Sequence, residues 1–178
     1  AEISARAVEL SVVGDYVKTR LGFRDGIAQK FQGTELVEWV RIGSRREDDF
    51  VRFLNHFHDP LAARWSEAGL NTFPFFGQSS LLWVQLNQNP WGWQRARTAF
   101  LQGLTAPTAS EREQALADAF RALGQVIHPL HDASVPDHTR NDAHPLFYNF
   151  EKFVERTRAR PELRGLFDSF LSAPPIPF

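Results

Sequence analysis

The stretch from Ser110 to Leu130 constrains the fold more than any other part of the chain. Ala115, Leu116, Ala119, Phe120, Leu123, Ile127 and Leu130 recur at helical spacing. They form one continuous apolar stripe, which is stable in water only when other elements cover it. Ser110 and Glu113 stand three apart at its start and predict a capping box that satisfies two orphan N-terminal amides. Pro129 lacks an amide donor, so a kink or an early end is expected near His128.

Helical patterning extends over most of the rest. Val8, Val12, Tyr16 and Val17 predict a helix from Ser4 to Leu21, which Gly22 can stop. Thr34 can cap a short helix through Leu36, Val37 and Val40 that ends near Gly43. "REDDFVRFLNHF" continues helically until Pro60. "NTFPFFGQ" reads as a loop, with Pro74 and Gly77 as breakers. Ser79 or Ser80 can start the helix "LLWVQL". In "NPWGWQRARTAFLQGL", Asn89 fits an N-cap and Pro90 the first helical position. Pro145 can open a further helix through Phe147, Phe150, Phe153 and Val154. β-Signals are weak and no repeat is visible. The expectation is an all-α protein, one helical domain over residues 1–178, ending in an extended tail over 172–178.

Composition narrows the function classes. The chain has 178 residues, 43% of them hydrophobic, which is enough for a core. A formal net charge of -1 gives no electrostatic footprint for nucleic acid or an anionic membrane. Without cysteine there are no disulfides. No apolar run approaches the roughly 18 residues that span a bilayer. The opening "AEISARAVEL" is charged and amphipathic, unlike a secretory leader. With Ala1 first and no methionine anywhere, the chain is expected to be a processed or N-terminally shortened form.

"LGQVIHPLHDASVPDHTRNDAH", from Leu123 to His144, holds four of the six histidines. His128 and Asp132 are four apart, hence one turn apart on one helix face. An imidazole and a carboxylate so placed can bind one zinc ion, which takes nitrogen and oxygen ligands. More often such a pair is only a hydrogen-bonded surface pair. His138 follows beyond the breaker Pro136, and His144 lies six residues further. Glu151 falls on the next predicted helix, where its carboxylate could point back. A second group precedes these in "EDDFVRFLNHFHDP": Glu47, Asp48, Asp49, His56, His58 and Asp59. A charge run there is ordinarily a solvated face, and lone histidines are ordinarily on the surface. Two clusters of the same chemistry in one small helical chain suggest a shared site.

These residues carry a family likeness. His128, Asp132, Pro136 and His138 match, without a gap, the His-x3-Asp-x3-Pro-x-His signature of the zinc-dependent phospholipase C and fungal single-strand-specific nuclease superfamily. "HFHDP" at His56 to Pro60 is similar to the "HFYDP" box of the same superfamily. The likeness covers roughly residues 35 to 155. It implies a compact multi-helix bundle with zinc ions at the bottom of a cleft, cleaving phosphodiesters of phospholipids or nucleic acids. It also implies secretion or a periplasmic location. Carried over by position, one zinc would take Asp48, His56, His128 and Asp132. A second would take His138, His144 and Glu151. The carboxylate at Asp48 would contact the activated water as general base, with Glu47 and Asp49 as alternatives at that position.

The match departs from the family pattern in places. The family's third zinc uses an N-terminal tryptophan and an early histidine, whereas this chain starts at Ala1 and its first histidine is His56. His144 and Glu151 are seven apart rather than four, so both reach one ion only if His144 sits in the loop before Pro145. Three functions are therefore carried forward: a phospholipase C-like zinc phosphodiesterase with two or three ions, a single-strand nuclease of the same fold, and a metal-stabilised helical module without hydrolase activity. His131 and His58 are expected beside the ligands or on the surface, and Arg140 in a surface turn. Trp83 is expected in the core. "FPFF" is the candidate for substrate or membrane contact, with Trp91 and Trp93 as further cleft candidates.

Overall fold

Three helices frame the structure, and glycine lets two of them approach closely. The computed structural model describes residues 11–142, 150–163, 165 and 169; the side chains of residues 11–13, 151 and 158 lie outside that description. Helix α1 spans Ser11–Leu21, α2 Leu36–Glu47, α3 Ser80–Trp83, α4 Trp93–Thr105, α5 Ala109–Asp132, α6 Pro136–Thr139 and α7 Phe150–Arg158. The described residues are mostly helical, with two short antiparallel hairpins: β1 (Lys30–Phe31) with β2 (Thr34–Glu35), and β3 (Asn71–Thr72) with β4 (Phe75–Phe76). None of the described helices is long and apolar enough to cross a membrane.

Helix α5 packs along both α2 and α4. A Cβ on Gly43 would run into the carbonyl of Arg121, and one on Gly124 into that of Val40. The backbones of α2 and α5 thus nearly touch, which locks the register of their C-terminal ends. Leu36 and Val40 of α2 meet Leu116, Ala117 and Phe120 of α5, closed by Val17 and Phe31. Phe31 stacks on Phe120 at 5.7 Å between centroids, and Phe23 meets Phe31 edge-on at 5.2 Å. Of the predicted stripe, Leu116, Ala119 and Phe120 are buried and Leu123 and Ile127 partly so. Leu130 is 54% exposed, since α2 has ended by that level.

Several boundaries differ from expectation. Residues 1–10 lie outside the described residues, so only the Ser11–Leu21 part of the first helix is seen; Val17 is buried in it and Tyr16 exposed. Thr34 does not cap α2 but belongs to β2, where a hairpin turn with Gln32 and Gly33 at φ 50 and 76 precedes it. Two positive φ angles in a two-residue loop match the twist of paired strands. Helix α2 passes Gly43 and ends at Glu47, and "DDFVRFLNHF" is not a continuous helix: only a short 3-10 turn, Arg52–Asn55, follows. The buried carboxylate of Glu47 draws Arg52 back onto itself, which no straight helix allows. "NTFPFF" is a hairpin rather than a loop, because Phe73 and Pro74 occupy the turn and leave the β-forming residues free to pair.

The other helix starts shift likewise. Helix α3 is one turn, with Ser79 before it making no capping bond. Helix α4 begins at Trp93 after Gly92, not at Pro90. The Asn89 side chain is engaged elsewhere, accepting from the Trp91 amide and donating to the Trp83 carbonyl. The capping box of α5 is Thr108 with Glu111, not Ser110 with Glu113. Both pairs have the right spacing; the earlier one gains extra helical hydrogen bonds directly after Pro107. Helix α5 also runs on through Pro129 to Asp132 instead of ending at His128. Of the helix predicted from Pro145, Phe150–Arg158 is described, while residues 143–149 and the 172–178 tail lie outside the described residues.

Candidate metal centre

The last turn of α5 supplies the first donors. Because the helix passes Pro129, His128 and Asp132 stay one turn apart on one face. The chain then turns through Ala133 to Val135, and Pro136 opens α6, whose single turn returns His138 to the same place. The opposite wall comes from the end of α2. Asp48 is its C-terminal cap residue, and the 3-10 turn delivers His56 eight positions later. The walls are tied together: the His58 amide donates to the His138 carbonyl at 2.9 Å, and the His138 ring stacks on Phe57 at 4.7 Å.

Four donor atoms form a closed ring. Oδ2 of Asp132 lies 2.9 Å from Nδ1 of His56 and 3.3 Å from Nε2 of His128. Oδ1 of Asp48 lies 3.2 Å from the same Nε2 and 3.8 Å from the same Nδ1. Ligands about 2.1 Å from a tetrahedral zinc ion stand about 3.4 Å apart, so the observed edges bracket that spacing. His138 places Nδ1 3.5 Å from Oδ2 of Asp132, so that oxygen faces three imidazoles. It is buried, yet none of these contacts is aligned as a hydrogen bond. A buried carboxylate oxygen facing three imidazoles, ion-paired with them rather than aligned for hydrogen bonding, belongs to a donor set that could take a cation. Two overlapping triads, Asp48–His56–His128 and His56–Asp132–His138, could each hold a metal ion.

Main-chain carbonyls beside two of the rings orient them. Nε2 of His56 faces the Glu47 carbonyl at 3.2 Å. Nδ1 of His138 faces the His56 carbonyl at 3.3 Å. A carbonyl only accepts, so Nε2 of His56 carries its proton and Nδ1, the atom facing Asp132, is the donor to a metal. In His138 the proton sits on Nδ1, between the carbonyl and Asp132, and Nε2 is the nitrogen left with a lone pair. Nδ1 of His128 lies 3.4 Å from Oγ of Ser44. Burial pushes the His128 imidazole down, but Asp132 and Asp48 beside it outweigh burial and raise it to about 10. Burial alone would raise Asp132; His128 and His56 overcome it and hold the carboxyl well below the usual carboxylate range. Burial, then the neighbouring His128, lowers His131.

The donors line a cavity of about 320 Å³ with Ser44, Phe53, Phe57 and His131. Asp48 stands at its mouth with a side chain 63% exposed, while the His56 and Asp132 side chains are 2% and 10% exposed. Asp48, His56, His128, Asp132 and His138 therefore converge. His144 lies outside the described residues, and Glu151 is on α7 with its side chain outside them. Of the alternatives to Asp48, Glu47 is fully buried and turned toward Arg52 and Trp83, and Asp49 is exposed and paired with Arg46 at 3.3 Å. His58 bonds Oγ of Ser79 at 2.8 Å, and Asp59 accepts from the Leu61 amide. Arg140 is exposed, as is His131 at the cavity edge. Trp83 is half-buried rather than core, its indole N–H donating to Glu47. Sequence reasoning passed over Ser44, Phe53 and Phe57. Ser44 was findable, standing four residues before Asp48 on the same helix face.

No family model, curated protein or solved structure matches the chain.

Proposed function

We propose that this protein is a zinc-dependent phosphodiester hydrolase of phospholipase C type. The observation that carries the reading is the ring of two imidazole nitrogens and two carboxylate oxygens at 2.9–3.8 Å, with Asp48 alone among them open to solvent. Mixed nitrogen and oxygen donors without sulfur suit zinc. Zinc bound there would lower the pKa of a bound water and neutralise charge building on a phosphoryl group. His56, His128 and Asp132 hold their donor atoms in a buried cluster that needs little reorganisation on binding. Asp48, at the solvent boundary, is placed where its carboxylate would accept the proton of an attacking water. By the family likeness, His138, with His144 and Glu151, would supply donors for a second ion.

Phospholipid is the favoured substrate class. The net charge of -1 offers no attraction to a polyanion. Phe73 and Phe76 of the β3–β4 hairpin are 86% and 58% exposed, and Thr72 bonds the Asn141 carbonyl just beyond His138, which sets the hairpin beside the site. The test is metal content by inductively coupled plasma mass spectrometry on the wild type and on His128→Ala with His138→Ala, followed by assays on phosphatidylcholine vesicles and single-stranded DNA. About two or three zincs per chain, lost in the variant, with lipid cleavage, is the expected result. Zinc-free protein whose helicity ignores chelators would end the metal reading. DNA cleavage without lipid cleavage would transfer the protein to the nuclease class.

A further inference from the structure

The residue before Asp48 contributes no side-chain donor to the ring, yet its side chain is 0% exposed. A lone carboxylate so enclosed would be strongly unfavourable, and three donors answer it. Oε2 of Glu47 accepts from Arg52 Nε at 2.9 Å and from a terminal guanidinium nitrogen at 2.6 Å. Oε1 accepts from the Trp83 indole at 2.7 Å. Arg52 also donates to Oδ1 of the Asn89 side chain at 3.1 Å and lies over the Trp83 ring. Helix α3 and the turn before α4 thus pin one carboxylate.

The main chain of the same residue faces the site. Its carbonyl oxygen is the 3.2 Å partner of Nε2 of His56, which leaves Nδ1 of that ring toward Asp132. Between Glu47 and Arg52, Val51 sits at φ 78 and ψ -38. A β-branched residue adopts that conformation only when its surroundings impose it. The Arg52–Glu47 pair spans this turn and supplies the constraint.

We infer that Glu47 is a positioning residue for the metal centre: clamped by Arg52 and Trp83, it holds its own carbonyl against His56, fixing that ring's tautomer, and sets the place of Asp48. This rests on the metal reading above. Partners that orient ligand histidines from behind typically change metal affinity 10–100-fold when removed. A carboxylate that served only the core would change stability and leave the ligand field alone.

The experiment titrates metal-free wild type, Glu47→Gln, Trp83→Phe and Asp118→Asn with cobalt(II), following ligand-field absorbance, with zinc competition for affinity. Asp118→Asn removes another half-buried ion pair, that with Arg95 at 2.6 Å, and controls for generic loss of a charge pair. The expected result is roughly 10–100-fold weaker cobalt binding in Glu47→Gln with a changed spectrum. Trp83→Phe shifts the same way by less, and Asp118→Asn matches wild type. Wild-type affinity and spectrum in both Glu47→Gln and Trp83→Phe overturn the inference. If Glu47→Gln does not fold, Trp83→Phe alone decides. Failure of the wild type itself to bind cobalt or zinc brings down the metal reading, and this inference with it, which is a separate and recognisable result.

Discussion

Oδ2 of Asp132 is surrounded by three imidazole nitrogens, and the protons on those rings separate the metal-free form from the metal-bound one. In the metal-free protein His128 is raised from 6.5 to about 10 and remains protonated at neutral pH. Its contribution to stability is full below pH 6.5 and disappears as pH climbs through about 10. Asp132 is held below its ordinary 3.8, so its contribution is present above that value and is lost as pH falls beneath it. On the proposed reading zinc would need the neutral ring, so its binding near neutrality would release the His128 proton. Affinity should then rise about tenfold per pH unit between roughly pH 7 and 9, with about one proton released, as read by calorimetry in buffers of different ionisation enthalpy. Affinity flat over that range would remove His128 from the ligand set. Asp48 and Asp49 differ just as sharply, one against His128 and the other paired with Arg46. Asp48→Asn is expected to lower kcat by about 10²–10⁴, and Asp49→Asn to stay within about twofold, in the lipid assay.

Elements matter here through their ends. The site exists because α2 stops at Glu47 and because α5 does not stop at Pro129. The first end follows from a buried carboxylate that collects Arg52 and Trp83. The second keeps His128 and Asp132 on one face. The start of α5 is set by Thr108, whose Oγ1 accepts from the Glu111 amide at 3.2 Å while the Thr108 amide donates to the Glu111 carboxylate at 3.1 Å. Thr108→Ala should therefore destabilise the fold by about 1 kcal/mol in urea unfolding, and Ser110→Ala by no more than a few tenths. The reverse order would return the cap to Ser110. The periodicity from Leu116 to Ile127 was readable because one face meets α2 and α4 throughout. Leu130 continues that pattern in sequence but finds no neighbour, since periodicity records spacing and not the length of the facing helix.

At the scale of the whole molecule, the centre joins three separated stretches: residues 44–48, 53–57 and 128–138. A bound ion would cross-link them and stabilise the folded chain over the unfolded one, by about 2.7 kcal/mol at free zinc a hundredfold above Kd. For a chain of this size that corresponds to about 5–10 °C in Tm. Chelation should lower the wild-type melting temperature by that order and leave His128→Ala unmoved, as read by scanning calorimetry. Equal melting temperatures with and without chelator in the wild type would mean that no ion holds these stretches together.

Sequence alone was enough for the helical class, a long helix opening near Ser110 and the one-turn spacing of His128 and Asp132, because each follows from periodicity along one helix. The cap of that helix at Thr108 and its run through Pro129 to Asp132 were seen only in the structure. The convergence of Asp48 and His56 on that pair was suggested by residue type and family likeness, with His138 expected at a second position nearby, but distances, including that of His138 from Asp132, come only from packing. The register of α2 against α5 is fixed where Gly43 and Gly124 let two backbones meet. That contact, and not any local pattern, carries Asp48 to His128. The choice among Glu47, Asp48 and Asp49 was likewise invisible in three adjacent acids. Tertiary structure made it by burying the first on Arg52 and Trp83, aiming the second at His128 and leaving the third in solvent.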